Sequence, residues 1–218
     1  MRAKQKSFRL PISLAQILTM FFVLNSICCG SQVQDIKANN DIDANPEKIL
    51  IIYLSRTNNT KAIAEIIHDN TGGRLVNLEL KHPYPEDYKA IVAQVVKENE
   101  TGFLPPLKTV IDSFQKFEIV FLGFPTWGMQ LPPPIKSLLN QCDFNGKTII
   151  PFNTHGGYGI GSSFETVKKL CPGSKVLDGF STKGGVERDG ILFVMEGEKQ
   201  KQVTDVVKKW LQEIKIIK

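Results

Sequence analysis

The chain has 218 residues, 27 basic and 22 acidic, for a formal net charge of +5. Residues 1–29 hold four of those bases (Arg2, Lys4, Lys6 and Arg9) and no acid, so the remainder carries 23 against 22, or +1. A body so near neutrality, with no Lys/Arg run, argues against a nucleic-acid-binding surface. The cysteines fall at no metal-ligand spacing and the three histidines are scattered, so no metal site is expected.

The basic lead runs into an apolar stretch from Leu10 to Leu24, then NSICCGS, which is the layout of a secretory signal. Two readings stay open. In one, residues 1–29 are a cleaved leader, with Cys28 or Cys29 the candidate for lipid attachment, although Asn25, Ser26 and Ile27 match the usual small residues poorly. In the other, the segment is an uncleaved anchor; Pro11, Gln16 and Thr19 count against it, since a spanning helix needs roughly 20 mainly apolar residues. The first reading places the protein outside the cytoplasm, in the periplasm or as a membrane-anchored lipoprotein. Residues 30–46 are polar and aperiodic, a flexible linker. Residues 47–218 then form one domain long enough for a full core. Its two cysteines, Cys142 and Cys171, sit at apolar helix positions and read as buried free thiols.

Three segments are apolar without alternation, as in strands buried on both faces: 48–55 (KILIIYLS), 116–124 (KFEIVFLGF) and 147–152 (KTIIPF). In 74–80, Val76, Leu78 and Leu80 alternate with Asn77 and Glu79, the pattern of a strand near a sheet edge. A weaker fifth strand is expected over 175–182. Helical stripes fall between: Ile63, Ile66, Ile67; then Tyr88, Ile91, Val92, Val95, Val96; then Ile135, Leu138, Leu139, Cys142; and last Val203, Val206, Val207, Trp210, Leu211, Ile214. Pro132, Pro133 and Pro134 set the start of the third helix. This βα alternation, repeated five times, calls for a parallel sheet covered by helices on both sides.

Three polar loops follow successive strands, where an open parallel sheet binds its ligand. The first, SRTNNT, offers the hydroxyls of Ser55, Thr57 and Thr60 and the amides of Asn58 and Asn59 beside a helix start, an anion cradle without a fixed cation. Its tightness requires a residue tolerant of positive φ, which Asn58 supplies. The second, FPTWGMQLPPP, offers Pro125, Thr126, the stacking face of Trp127, and Gly128, where backbone can approach a flat ring. The third, NTHGGYGIG, offers Thr154, His155, Gly156, Gly157, Tyr158 and Gly159, with several N–H groups to turn toward a polar ring edge.

The run Ser-x-Thr-x-Asn-Thr after the first strand resembles the phosphate loop of the flavodoxin-like family, and the other two loops resemble that family's loops after strands 3 and 4. The resemblance spans nearly all of 47–218 and departs at Asn58, where Gly is more usual, and in the near-neutral body, where family shuttles are acidic. It implies a three-layer α/β/α sandwich with a five-stranded parallel sheet in the order 2-1-3-4-5. It also implies a non-covalent FMN, its phosphate in the first loop and its ring between Trp127 and Tyr158, with His155 as a candidate tuning residue. Arg56, by its place in the motif, is expected to face solvent.

The leading function is electron transfer through FMN, to a partner protein or a small-molecule acceptor. An FMN-dependent NAD(P)H:quinone-type reductase is the alternative; residues 83–106 are then the candidate cover of the flavin face. A flavin-free binding module is the third reading. A phosphorylatable receiver is disfavoured, because the strand ends Leu54-Ser55 and Gly123-Phe124 carry no carboxylate.

Overall fold

The computed structural model describes residues 44–218. The leader and most of the linker lie outside the described residues. The elements in chain order are β1 (Ile49–Tyr53), α1 (Asn59–Thr71), β2 (Arg74–Asn77), α2 (Tyr88–Thr101), β3 (Ile119–Pro125), α3 (Pro133–Gln141), β4 (Thr148–His155), α4 (Ser163–Leu170), β5 (Lys175–Val176), β6 (Phe180–Lys183) and α5 (Gly197–Glu213). The strands run parallel in the order β2-β1-β3-β4-β5, with β6 also paired to β4.

The apolar run of β1 has no polar face because it has no solvent face. Ile49, Ile51 and Tyr53 pack with Ile63 and Ile67 of α1 and Val207, Trp210 and Leu211 of α5. Leu50, Ile52 and Leu54 pack into the opposite layer with Ile135, Leu138 and Leu139 of α3 and Val167 of α4. Period-two side chains thus feed two cores in turn. Strand β2 is the edge, with both end residues exposed, but it stops at Asn77, short of the expected 80, and Leu80 instead forms an isolated antiparallel bridge with Leu107. Helix α3 opens on the proline run, Pro132 at its cap and Pro133 and Pro134 in its first turn, where a missing N–H costs nothing. Cys142 and Cys171 are free thiols, and burial pushes the Cys171 thiol up to about 11.

Three further expectations need correction. The fifth strand is two: β5 pairs with Thr148 and Ile149, β6 with Phe152 through His155. The break faces Pro151, where a Cβ on Gly179 would sit 2.6 Å from the Pro151 carbonyl oxygen, and where the Asp178 carbonyl turns out to accept from Trp210 Nε1 at 3.1 Å. Strand β4 continues to His155, so Asn153, Thr154 and His155 are strand residues and the third loop begins at Gly156. Of the apolar residues on the last helix, Val206 is 55% exposed and belongs to the outer face.

Candidate functional site

All three loops leave the carboxyl edge of the sheet at neighbouring strands β1, β3 and β4. In the first, Asn58 takes the left-handed conformation at φ 61°, so an asparagine does the work of the more usual glycine. Helix α1 starts immediately after it without a side-chain cap. The Ser55 hydroxyl accepts from Lys61 N at 3.2 Å, and Asn58 O accepts from Ala62 N at 3.0 Å. The N–H groups of Asn59 and Thr60 have no acceptor among the described residues. These two donors at the positive end of a 13-residue helix suit an anion. The Thr57 hydroxyl accepts from Asn59 Nδ2 at 2.8 Å, which leaves its own proton to donate.

Two side chains expected as ligands are otherwise engaged. Asn59 is 3% exposed; its Nδ2 donates to Leu192 O at 2.6 Å, and its Oδ1 accepts from Val194 N at 3.1 Å. It staples the first loop to residues 184–194, and what it offers an anion is its backbone N–H. Thr60 is also buried, with its hydroxyl paired to that of Thr154 at 2.8 Å, a bolt between the first loop and the end of β4. Arg56 does not face solvent: Nε donates to Glu187 Oε1 at 2.6 Å, and the terminal nitrogens donate to the carbonyls of Pro85, at 2.8 Å, and Glu86.

In the second loop, Trp127 and Gln130 exchange backbone hydrogen bonds (3.4 and 3.0 Å) across Gly128 and Met129, whose φ values are 56° and 60°. Positive φ at both central positions makes this a type I′ turn. It holds the half-buried Trp127 against Tyr84, edge to face, with centroids 5.3 Å apart and planes at 89°. The Met129 carbonyl accepts from Ser162 N at 3.0 Å, and Gly161 passes so close that a Cβ there would lie 2.0 Å from Met129 O. Beneath, the fully buried Asn153 donates to Phe124 O (2.9 Å) and Thr126 Oγ1 (3.0 Å) and accepts from Ser181 Oγ (3.2 Å). The second and third loops are therefore fixed to each other.

In the third loop, His155 Nδ1 accepts from Gly157 N at 3.0 Å, which puts the proton of the neutral ring on Nε2. Burial, and then the charge of Lys183 beside it, lower its pKa, so the ring is an uncharged donor at neutral pH. Gly157 and Gly159 have φ of 121° and 83°. Tyr158 lines the same cavity, 71% exposed, beside Arg188 at its mouth.

One cavity of about 720 Å³ joins these parts. Every residue expected in the site lines it except Ser55, Asn58 and Gly157. Two contributions were not foreseen. Arg56 is one. Another is the Gly184–Gly185 turn after β6 with Glu187 and Arg188; Gly184 N donates to His155 O at 2.9 Å, and a Cβ on Gly185 would meet Leu192 O at 2.2 Å. The paired glycines were its only sequence signal. The contribution expected from residues 83–106 comes from α2, whose Tyr88, Ile91, Val92, Val95 and Val96 all line the cavity, Tyr88, Val92 and Val96 exposed and Ile91 and Val95 buried. The helix of residues 83–106 does line the cleft; its Gly102–Pro106 turn does not.

A doubly wound parallel sheet whose switch-point cavity holds a bare helix N-terminus, an indole wall and a glycine loop defines a mononucleotide-binding α/β protein. The comparisons narrow this. The flavodoxin family model matches residues 48–196. A flavodoxin of Synechocystis sp. is 24% identical over 190 residues, 78% of this chain and 97% of that protein. Among solved structures, a Bacteroides eggerthii DSM 20697 protein provisionally designated a flavoprotein is 26% identical, with a TM-score of 0.63 over 78% of this chain and 99% of its own. A flavoprotein of Lactobacillus acidophilus NCFM, solved in complex with FMN, has a TM-score of 0.56 at 20% identity over 66% of this chain and 98% of its own. The chain belongs to the flavodoxin family.

Proposed function

We propose that the protein binds one FMN non-covalently in this cavity and works as a redox carrier. The observation that carries the reading is the uncapped start of α1, where the N–H groups of Asn59 and Thr60 and the Thr57 hydroxyl converge beneath a cavity walled by Trp127. When bound, FMN supplies the one- or two-electron chemistry. The protein's residues bind and tune it. The first loop holds the phosphate without a cationic side chain, since Arg56 is spent on Glu187. Trp127 covers ring surface, the glycines of the third loop let N–H groups approach the polar edge, and neutral His155 offers a donor at Nε2.

The cavity's apolar α2 wall favours a second reading, in which a small-molecule acceptor meets the flavin directly, as in a reductase. The near-neutral body offers little charge to steer an acidic or basic carrier. For location, the basic and apolar leader supports export with a lipid on Cys28 or Cys29.

The deciding experiment is titration of the apoprotein with FMN, read by quenching of flavin fluorescence. Saturable one-to-one quenching is expected, and its absence refutes the reading. Thr57→Ala is expected to weaken FMN by about 1.5–3 kcal/mol, the worth of a hydrogen bond to a charged group, and to leave riboflavin binding unchanged.

A further inference from the structure

Tyr84 lies in the irregular segment between β2 and α2, next to exposed Lys81, His82 and Pro83, yet it is held from three directions. Its ring meets Trp127 edge to face, a geometry that places the positive rim of one ring on the negative face of the other. Its hydroxyl donates to Glu98 Oε2. The carbonyls of the next two residues, Pro85 and Glu86, accept from Arg56 of the first loop.

Glu98 is the unusual member. It sits on α2 at 5% exposure, and its carboxylate meets no cation among the described residues; its partners there are the Tyr84 hydroxyl and Gln94 Nε2, the latter at 2.8 Å. Burying a carboxylate on neutral donors is costly, and an apolar residue would fill the same place on the helix at lower cost. What the carboxylate supplies, and a leucine would not, is a fixed acceptor that holds the Tyr84 ring upright against the indole. Burial first, and Glu98 second, raise the phenol's pKa, so the hydroxyl remains a donor.

We propose that Tyr84 and Glu98 are positioning residues for the flavin ring, acting through Trp127. The inference rests on the FMN reading above. The Glu98 carboxylate orients Tyr84, Tyr84 sets the plane of Trp127, and Trp127 presents that plane to the cavity. Arg56 anchors the same segment to the phosphate loop, so one short stretch of chain sets the distance between the phosphate end of the site and its ring wall.

The test uses the full chain, with FMN affinity, midpoint potential, bound-flavin absorption and melting temperature measured for each variant. Tyr84→Phe keeps the ring and frees it from Glu98. It is expected to weaken FMN about fivefold, shift the potential and alter the bound-flavin bands. Glu98→Ala should match it. Glu98→Gln keeps a carbonyl acceptor for the Tyr84 hydroxyl and should stay within about twofold of wild type. In a Trp127→Ala background, Tyr84→Phe should cost less than about twofold, because its route to the flavin is gone. Equal losses from Tyr84→Phe in both backgrounds overturn the proposal. So does a lower melting temperature with affinity, potential and spectrum unchanged, which would make the bracket scaffold alone. Wild-type protein that binds no FMN would overturn the functional reading and this inference with it; wild-type binding with an inert Tyr84→Phe would overturn the inference alone.

Discussion

Asn59 offers the sharpest separation of scaffold from site, because one buried amide serves both. Its side chain holds residues 184–194 through Leu192 O and Val194 N and also donates to the Thr57 hydroxyl and carbonyl, while its N–H lies at the start of α1, where we propose the phosphate binds. Asn59→Ala loses four hydrogen bonds, three of them sharing the two Nδ2 protons among Leu192 O, the Thr57 hydroxyl and the Thr57 carbonyl, and leaves the half-buried Val194 N–H unpaired; Leu192 is exposed, so water can take over its carbonyl. At about 1 kcal/mol for each proton in those bonds, the apoprotein should lose about 2–3 kcal/mol. Asn59→Asp keeps an acceptor for Val194 N and adds an acid to the first turn of α1, which favours the helix. It also sets a carboxylate oxygen against Leu192 O, so its stability loss should be the smaller of the two. The order reverses for ligand. The new charge lies in the phosphate cradle, where repulsion at the effective dielectric of a partly exposed site is worth about 1–3 kcal/mol, so FMN binding should fall tenfold or more while riboflavin binding holds. Urea denaturation of the apoproteins measures the first effect, with m unchanged, and paired FMN and riboflavin titrations measure the second. An Ala variant within about 0.5 kcal/mol of wild type would mean that the amide is not the staple. Equal losses of FMN and riboflavin in the Asp variant would mean that no phosphate sits beside it.

Two further perturbations probe the loops. Gly161→Ala combines a φ of 56° with a Cβ 2.0 Å from Met129 O and should cost about 2 kcal/mol or more, whereas Gly128→Ala, at the same φ but in open space, should cost about 1 kcal/mol; melting temperatures compare them. His155 has its pKa lowered by burial and Lys183, so the unfolded chain binds the extra proton first as pH falls. Its contribution to stability is therefore present above its ordinary pKa of 6.5 and is lost as pH drops through the lower folded value. Urea midpoints at pH 7.5 and 5.5 should show a smaller acid-side decline in His155→Asn than in wild type.

The sheet was legible because each buried strand repeats one local fact, an apolar run without alternation, and the loops because hydroxyl, amide and glycine residues cluster at their ends. What escaped was set by contacts distant in sequence. Nothing near Asn59 tells that its amide will be met by Leu192 and Val194, more than 130 residues later. Nor does the Arg56 motif position reveal that Glu187 and the 85–86 carbonyls will take its guanidinium. The residues of the apolar stripe on α2 all line the cavity, but helical spacing does not say that Ile91 and Val95 are buried while Val92 and Val96 stay exposed. The split of the fifth strand depends on Gly179 passing the Pro151 carbonyl, a close approach that propensity cannot express.

These long-range ties are unevenly distributed, and the asymmetry bears on function. The phosphate end is bolted from several sides: Thr60 to Thr154, Ser55 to the first turn of α1, Asn59 to residues 192–194, and Arg56 to three further groups. Such a cradle holds its donors in place before ligand arrives, so little binding energy goes into ordering it. The ring end is built differently. One part is the Trp127 turn, fixed by Met129, Gly161 and the Tyr84 bracket; the exposed valines of α2 and the open Tyr158 line the same cavity. A site rigid at the phosphate and apolar and open at the ring retains its cofactor by one end and leaves the other accessible. Changes at Thr57 or Asn59 should therefore govern how tightly FMN is kept, while changes at Tyr88, Val92 or Val96 should govern what exchanges electrons with it.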